Sequence, residues 1–186
     1  MTTSRPIVYL SLIALEYGLA VFALARLRAM GKDPREMVHG LSRSINILRD
    51  LLLAAALWAA WLLIARVWST LSPAPSGAVV QAVLPRTAVE AVLWVALSVS
   101  AGIAEELAFR GWLQSWVFSR TGSWTIAVLA QAVVFGIVHG YQGLRSVLRI
   151  AAYGTLFGAV TLWRRGLRPV MIAHAWTDIA AGLLRI

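Results

Sequence analysis

Residues 101–110 read Ala-Gly-Ile-Ala-Glu-Glu-Leu-Ala-Phe-Arg and place two adjacent carboxylates in an apolar stretch, because residues 91–104 carry no charge. An ionisable group at membrane depth costs at least ~2.5–3.5 kcal/mol even on lenient insertion scales, so it usually has a partner and a function. Glu106 and Arg110 are four residues apart and can pair on one helix face. Glu105 points about 100° away from Glu106. The spacing therefore predicts one structural carboxylate and one that is free for chemistry.

The composition is that of a membrane protein. The 186 residues are 60% hydrophobic and 13% charged, whereas soluble domains carry roughly 25% charged residues. The net charge of +9 comes from basic residues that lie between apolar runs, which argues against nucleic-acid binding. The sequence contains no cysteine, so disulfides and thiolate metal sites are excluded. The basic residues are almost all arginine, which is typical of a GC-rich bacterial genome and indicates a bacterial inner membrane.

The apolar runs predict an all-α, polytopic membrane bundle of about six transmembrane helices, with residues 1–186 forming a single transmembrane domain. A helix of ~20 residues spans the ~30 Å hydrocarbon core of a bilayer. The predicted spans are 7–25, 51–68, about 88–118, 124–141, 145–163 and 169–184. The third is longer than a plain span, so we expect it to tilt or to bend near Gly102 or Gly111. Glu16 interrupts the first span and is expected to pair or to face the inside of the bundle.

The basic segment 26–49 is predicted to contain a short cytoplasmic interfacial helix. Asp33, Pro34 and Glu36 have the N-cap, N1 and N3 spacing of a helix start. Apolar residues follow at helical spacing, namely Met37, Leu41, Ile45 and Leu48. This pattern is typical of a helix that lies on an anionic leaflet. More of the basic residues lie on the same side of the membrane as segment 26–49 than on the other side. The positive-inside rule therefore predicts that this segment is cytoplasmic and that both termini are outside.

Three predicted spans carry ionisable residues within apolar sequence. They are Glu105, Glu106 and Arg110 on the third span, His139 on the fourth, and His174 and Asp178 on the sixth. A single buried histidine or Glu–Arg pair is more often structural than functional. Six such residues on three helices favour a shared, hydrated site, because each is costly to bury.

These side chains allow two routes to peptide hydrolysis, and the sequence does not choose between them. His139, His174 and Glu105 can hold a divalent metal such as zinc and leave one position for water, whose pKa the metal lowers toward neutrality. Without a metal, Glu105 can deprotonate a water as general base with the help of His139. His174 and Asp178 can then orient or stabilise the oxyanion.

Three motifs follow one another along the chain, namely Glu105-Glu106-x-x-x-Arg110, Phe135-x-x-x-His139 and His174-x-x-x-Asp178. In this order, over about residues 88–184, they resemble the CAAX protease and bacteriocin-processing family. This family is the Abi group, which includes the eukaryotic CAAX prenyl endopeptidases. The resemblance implies a multi-helix intramembrane endopeptidase, usually a metalloprotease, that acts on a peptide or membrane-protein substrate in the lipid bilayer.

The resemblance also implies roles for particular residues. Glu105 and His139 would activate the water, and His174 and Asp178 would complete the site. Glu106 belongs to the same catalytic motif. The remaining motif residues, Arg110 and Phe135, would support the site. Asp178 stands where asparagine is common in the eukaryotic enzymes, and an anion is a poorer oxyanion donor unless it is protonated.

Two other classes of function stay open on the sequence. One is a non-catalytic membrane immunity or scaffold protein, and the other is a small proton-coupled transporter with Glu105, Glu106 and the histidines as a relay. The sequence contains no His-Glu-x-x-His and no Gly-x-Ser-x-Gly, so other intramembrane protease classes fit poorly. Loss of effect in a Glu105→Ala variant would favour the protease over the scaffold, and flux without cleavage would favour the transporter.

Overall fold

The computed structural model describes residues 4–40, 47–71 and 78–184, and all the regular elements in these ranges are helical. The α-helices are α1 (Arg5–Ala29), α2 (Pro34–His39), α3 (Ile47–Leu71), α4 (Ala78–Val83), α5 (Ala88–Glu105), α6 (Gln114–Thr121), α7 (Trp124–Val138), α8 (Leu144–Arg164) and α9 (Arg168–Leu183). A π-helix, Glu106–Leu113, joins α5 to α6, and a 3-10 turn, Gly140–Gln142, follows α7. The predicted all-α bundle is confirmed.

Four helical stretches are long and apolar enough to cross a membrane. They are Arg5–Ala29, Ile47–Thr70, Ala88–Thr121 and Leu144–Arg164. The other two predicted spans correspond to shorter helices, because α7 has 15 residues and α9 has 16. At 1.5 Å per residue these helices are about 22–24 Å long, less than the ~30 Å of a hydrocarbon core. The protein is therefore a multi-pass membrane protein in which four of the six predicted spans have full length.

Apolar side chains cover the outside of the bundle, and small residues fill much of its interior. The exposed fraction is above 60% for Leu15, Leu63 and Val92, as expected where lipid and not water surrounds the helices. The interior contains Ala23, Ala54, Leu107, Ala108, Phe157 and Ala173 together with other apolar residues. Small residues let helix backbones approach closely, and this close packing replaces the hydrophobic driving force that is lost in lipid.

The start of the predicted interfacial helix is confirmed. Asp33 is the N-cap of α2, with its Oδ1 accepting a hydrogen bond of 2.8 Å from the backbone N–H of Arg35. Pro34 occupies the first turn, where a missing N–H costs nothing. Glu36 lies in the same turn, near the positive end of the helix dipole.

The predicted extent of this helix is wrong, because α2 ends at His39. Gly40 follows with a φ of 75°, a conformation that favours glycine. A methyl group at Gly40 would lie 2.8 Å from the carbonyl oxygen of Arg165, so the chain is pressed against the turn between α8 and α9. The N–H of Leu167 donates to the carbonyl of Met37 at 2.9 Å and ties α2 to the same turn. Of the apolar residues expected to continue the helix, Leu41 and Ile45 lie outside the described residues and Leu48 belongs to α3.

A buried ion cluster ties α3 to α8 and α9. The carboxylate of Asp50 is fully buried. Its Oδ1 accepts from Arg164 Nε at 2.9 Å and Nη2 at 2.8 Å, and its Oδ2 accepts from Arg168 Nε at 2.5 Å. Charge-assisted bonds of this kind are short and directional. They place the start of α9, and so the residues that follow on it, relative to α3 and α8.

Close helix contacts occur at glycines. A methyl group at Gly154 would lie 2.9 Å from the Cα of Ala132, and one at Gly158 would lie 2.6 Å from Gln131 Nε2. The close packing along this face of α8 has α7 as its partner. The irregularity expected in the long third helix is the π-helix, which contains Gly111 and not Gly102. Gly102 instead lies within α5, against α9.

We expect Gly102→Ala to destabilise the protein and to lower any activity that depends on α5 and α9. A methyl group at Gly102 would lie 2.8 Å from the carbonyl oxygen of Met171 and 3.0 Å from the backbone nitrogen of Ala175. Because both atoms belong to backbone, the helices must move apart, at a cost of about 1–3 kcal/mol. Thermal unfolding in detergent measures the change.

The matched control is Gly18→Ala in α1. A methyl group there meets nothing within 4 Å, and alanine is favoured over glycine in a helix by roughly 0.5–1 kcal/mol. This variant should therefore unfold at or above the wild-type temperature. If Gly102→Ala did the same, α5 and α9 would not be in close contact at this position.

Candidate active site

The two adjacent carboxylates lie where the helix changes type. Glu105 is the last residue of α5, and Glu106 is the first residue of the π-helix. π-helical turns are rare and occur frequently at functional sites. Arg110 Nη1 donates to Glu106 Oε1 at 2.8 Å, and both side chains are 0% exposed. The predicted Glu106–Arg110 pair is therefore confirmed, and it is fully buried.

Phe135 covers the guanidinium of Arg110. The Arg110 Cζ lies 4.0 Å from the centroid of the Phe135 ring and 5.7 Å from that of Phe157. A guanidinium over an aromatic face is stabilised electrostatically, more strongly when water is excluded. Among the described residues, Arg110 Nε and Nη2 have no hydrogen-bond partner. The aromatic rings are thus the main support of this cation beyond Glu106.

Glu106 also orients His174. Its Oε1 lies 2.8 Å from His174 Nδ1. Since a carboxylate only accepts, Nδ1 donates this hydrogen bond, which fixes the ring. The other ring nitrogen, Nε2, then faces Glu105 Oε2 at 3.7 Å and Asp178 Oδ2 at 3.5 Å. Glu106 therefore acts as a positioning residue in this arrangement, between Arg110 and His174.

His139 is oriented in a similar way, by a hydrogen bond from its Nδ1. It is the first residue after α7, and its Nδ1 lies 2.8 Å from the carbonyl oxygen of Phe135. A carbonyl oxygen also only accepts, so Nδ1 carries the hydrogen and Nε2 has the free lone pair. This Nε2 lies 4.0 Å from Glu105 Oε2. The ring packs edge-to-face on Phe135, with centroids 4.8 Å apart.

Glu105 lies between the two imidazoles. Its side chain is 14% exposed, and among the described residues its Oε2 is buried without a hydrogen-bond partner. A water bonded to two atoms at ~2.8 Å can join atoms up to about 5 Å apart. The separations of 3.7 Å to His174 and 4.0 Å to His139 are within that reach. The structure therefore brings together all three side chains that the sequence singles out for water activation.

These groups open into a cavity of about 910 Å³. This volume lies within the range of small-molecule and peptide-side-chain sites, roughly 300–1,000 Å³. Helices from both halves of the chain line it, including α1, α3 and α4, and its walls contain Trp61, Trp68 and Tyr153. These aromatic walls could not be predicted from the sequence, because a tryptophan within an apolar span carries no signal that separates a cavity wall from a lipid-facing residue. Glu16 on α1 lines the same cavity.

The residues suit a divalent metal in donor type. Both histidines present Nε2, and their Nδ1 atoms are bonded to a carbonyl and a carboxylate, as is usual for metal-bound histidine. Ligand atoms around tetrahedral zinc lie about 3.3 Å apart, whereas those around Glu105 Oε2 are at 3.7 Å and 4.0 Å. Within the described ranges, no three histidine or acidic side chains have the geometry of a metal site. The donor atoms are thus of the type that binds zinc, but they lie farther apart than zinc requires.

Comparison with known proteins agrees with the three motifs. The family model of the type II CAAX prenyl endopeptidase Rce1-like proteins matches residues 86–180, just over half of the chain. The match contains the motifs that begin at Glu105, Phe135 and His174. No curated protein and no solved structure matches the chain. The resemblance found in the sequence is confirmed, and it supports a CAAX-type intramembrane protease at the level of the family. The chain belongs to the type II CAAX prenyl endopeptidase Rce1-like family.

Proposed function

We propose that the protein is an intramembrane endopeptidase that hydrolyses a peptide bond with a water activated by Glu105. The observation that supports this most strongly is the position of Glu105 Oε2, buried in the cavity between His139 Nε2 and His174 Nε2. A water at this place can donate one hydrogen to Glu105 and the other to His139. Its oxygen lone pair then remains free for attack on a carbonyl carbon.

In the proposed reaction, Glu105 accepts a proton from the water while the water oxygen forms a bond to the carbonyl carbon. The carbonyl oxygen becomes an oxyanion. His174, fixed by Glu106 and flanked by Asp178, can stabilise this charge when Nε2 carries a proton. Glu105 then returns the proton to the departing amine as the carbon–nitrogen bond breaks. The oxyanion re-forms a carbonyl as this bond breaks, and the products are a carboxylic acid and an amine, which then exchange a proton to give a carboxylate and an ammonium group, so one water is consumed for each bond cleaved.

The cavity favours a substrate that is a peptide or a segment of a membrane protein. Such a substrate would reach the cavity through the bilayer. We place this reaction in the bacterial inner membrane. Cleavage of a fluorogenic library of apolar peptides by the purified protein in liposomes tests the proposal. We expect internal cleavage, with product masses that sum to the peptide plus one water. Proton flux without cleavage would support the transporter instead.

The zinc ion predicted from the sequence stays a prediction. Cleavage measured with and without a chelator tests it. Glu105, His139 and His174 would hold the ion, and a bound divalent metal would supply a water with a pKa near neutrality. Because the donor separations are wider than zinc requires and Glu105 can act as base alone, we expect cleavage to survive a strong chelator. Metal analysis of the same purified protein is the second measurement. Stoichiometric zinc that is lost together with activity would contradict this expectation and would assign the three residues as ligands.

A further inference from the structure

We propose that Glu16 of α1 makes the active site prefer peptides with a basic side chain, lysine or arginine, next to the bond that is cleaved. The inference rests on the proposed function for the cleavage step, although the preference itself can be measured as binding. α1 lies outside residues 86–180, which match the family model. The family motifs therefore do not account for this carboxylate.

Glu16 belongs to the wall of the cavity that holds the catalytic groups. It lines the cavity together with Glu105, His174 and Asp178. It is close enough to His174 and Asp178 to interact with both electrostatically, and it interacts with Glu105 as well. Among the described residues, its Oε2 is buried and has no hydrogen-bond partner. Glu16 thus presents one buried acceptor atom, on a half-buried side chain, to the cavity where a substrate would lie.

The carboxylates that are buried as whole residues, Asp50, Glu90 and Glu106, all have partners within the chain. Glu106 is bonded to Arg110 and His174. Asp50 is bonded to Arg164 and Arg168. Glu90 accepts from the backbone N–H of Arg86 at 2.7 Å and lies 3.6 Å from Arg5. Glu16 differs from these residues, because it is only half-buried and lines the cavity, and its Oε2 accepts no hydrogen bond from the described residues, so a bound ligand can supply the donor.

The charges around Glu16 favour a cation as that partner. Glu16, Glu105 and Asp178 place three carboxyl groups in the lining of the cavity. The nearby guanidinium of Arg110 is bonded to Glu106 and covered by Phe135. A lysine or arginine side chain of a bound peptide is complementary to such a wall, and it forms a charge-assisted hydrogen bond with a carboxylate.

Binding of matched peptides to the Glu105→Gln protein tests the inference without turnover. The probes are short apolar peptides that differ at one position, which is lysine, norleucine or glutamate. We expect the lysine peptide to bind about tenfold more tightly than the norleucine peptide, and the glutamate peptide to bind most weakly. Adding Glu16→Gln should bring the lysine-to-norleucine ratio close to one. Adding Glu16→Lys should invert the order, so that the glutamate peptide binds best.

Glu36→Gln is the matched control, because it removes the same charge from an exposed position on α2. It should leave the ratio unchanged. Equal binding of the lysine and norleucine peptides to the Glu105→Gln protein would overturn the inference, and so would a preference that survives Glu16→Gln. The comparison of the lysine and norleucine peptides on the Glu105→Gln protein uses intact Glu16, so it tests the inference even if a Glu16 variant fails to fold. A lysine preference in binding, combined with no cleavage of any peptide by the wild type, would overturn the proposed function and leave the role of Glu16 standing.

Discussion

Glu105→Gln is expected to abolish peptide cleavage and to leave the fold intact. Glutamine has nearly the same shape as glutamate, but its amide cannot take a proton from water. General acid–base catalysis contributes about 10²–10⁴-fold, so kcat/KM should fall by about that factor. Within the described residues, Glu105 Oε2 has no hydrogen bond that the substitution would break. Thermal unfolding should therefore change little, and the loss should appear in the rate of cleavage of the best library peptide.

Glu36→Gln is a control for removal of one negative charge, since Glu36 lies on the exposed side of α2, away from the cavity. It should cleave as the wild type does. If Glu105→Gln kept activity within about tenfold of the wild type, Glu105 would not be the general base. A biological effect that also survives Glu105→Ala would favour the scaffold or immunity protein over the protease.

Arg110→Met is expected to cause the largest loss of stability. The substitution leaves the Glu106 carboxylate, which is 0% exposed, without its cation. Removing one member of a buried ion pair typically costs about 3–5 kcal/mol, because the remaining charge is uncompensated. The methionine side chain can still pack under Phe135, so lost volume contributes little. Chemical or thermal unfolding of the purified protein in detergent measures this change.

The double variant Glu106→Gln/Arg110→Met separates the charge effect from the packing effect. With both charges removed, the buried carboxylate is no longer present, and the glutamine carbonyl can still accept the hydrogen bond of 2.8 Å that His174 Nδ1 donates to Glu106. We expect the double variant to be more stable than Arg110→Met alone. Equal stability of the two variants would show that Arg110 contributes through its contacts with Phe135 and Phe157 and not through its charge.

Local features of the chain could be predicted from the sequence, because they depend on spacing along one helix. The Glu106–Arg110 pair follows from the four-residue spacing. The start of α2 at Asp33 follows from capping chemistry. The energetic cost of placing several ionisable groups in apolar helices predicts that Glu105, His139 and His174 converge, and the structure places His139 Nε2 4.0 Å and His174 Nε2 3.7 Å from Glu105 Oε2.

The contacts between distant segments could not be predicted in the same way. The sequence shows a helical pattern beyond His39, but α2 ends there because Gly40 packs against Arg165. Glu106 bonds to His174 as well as to Arg110 only because α9 packs close to it, and the sequence of α5 does not show that packing. The position of Glu16 depends on how α1 packs against α5 and the π-helix.

The sequence by itself determined that this protein is an all-α membrane protein with three polar motifs, since hydropathy and helical spacing are properties of short segments. Only the tertiary structure decided which of those polar groups meet. It also decided that α1 contributes Glu16 to the cavity, since contacts between helices far apart in the chain depend on close packing at positions such as Gly102.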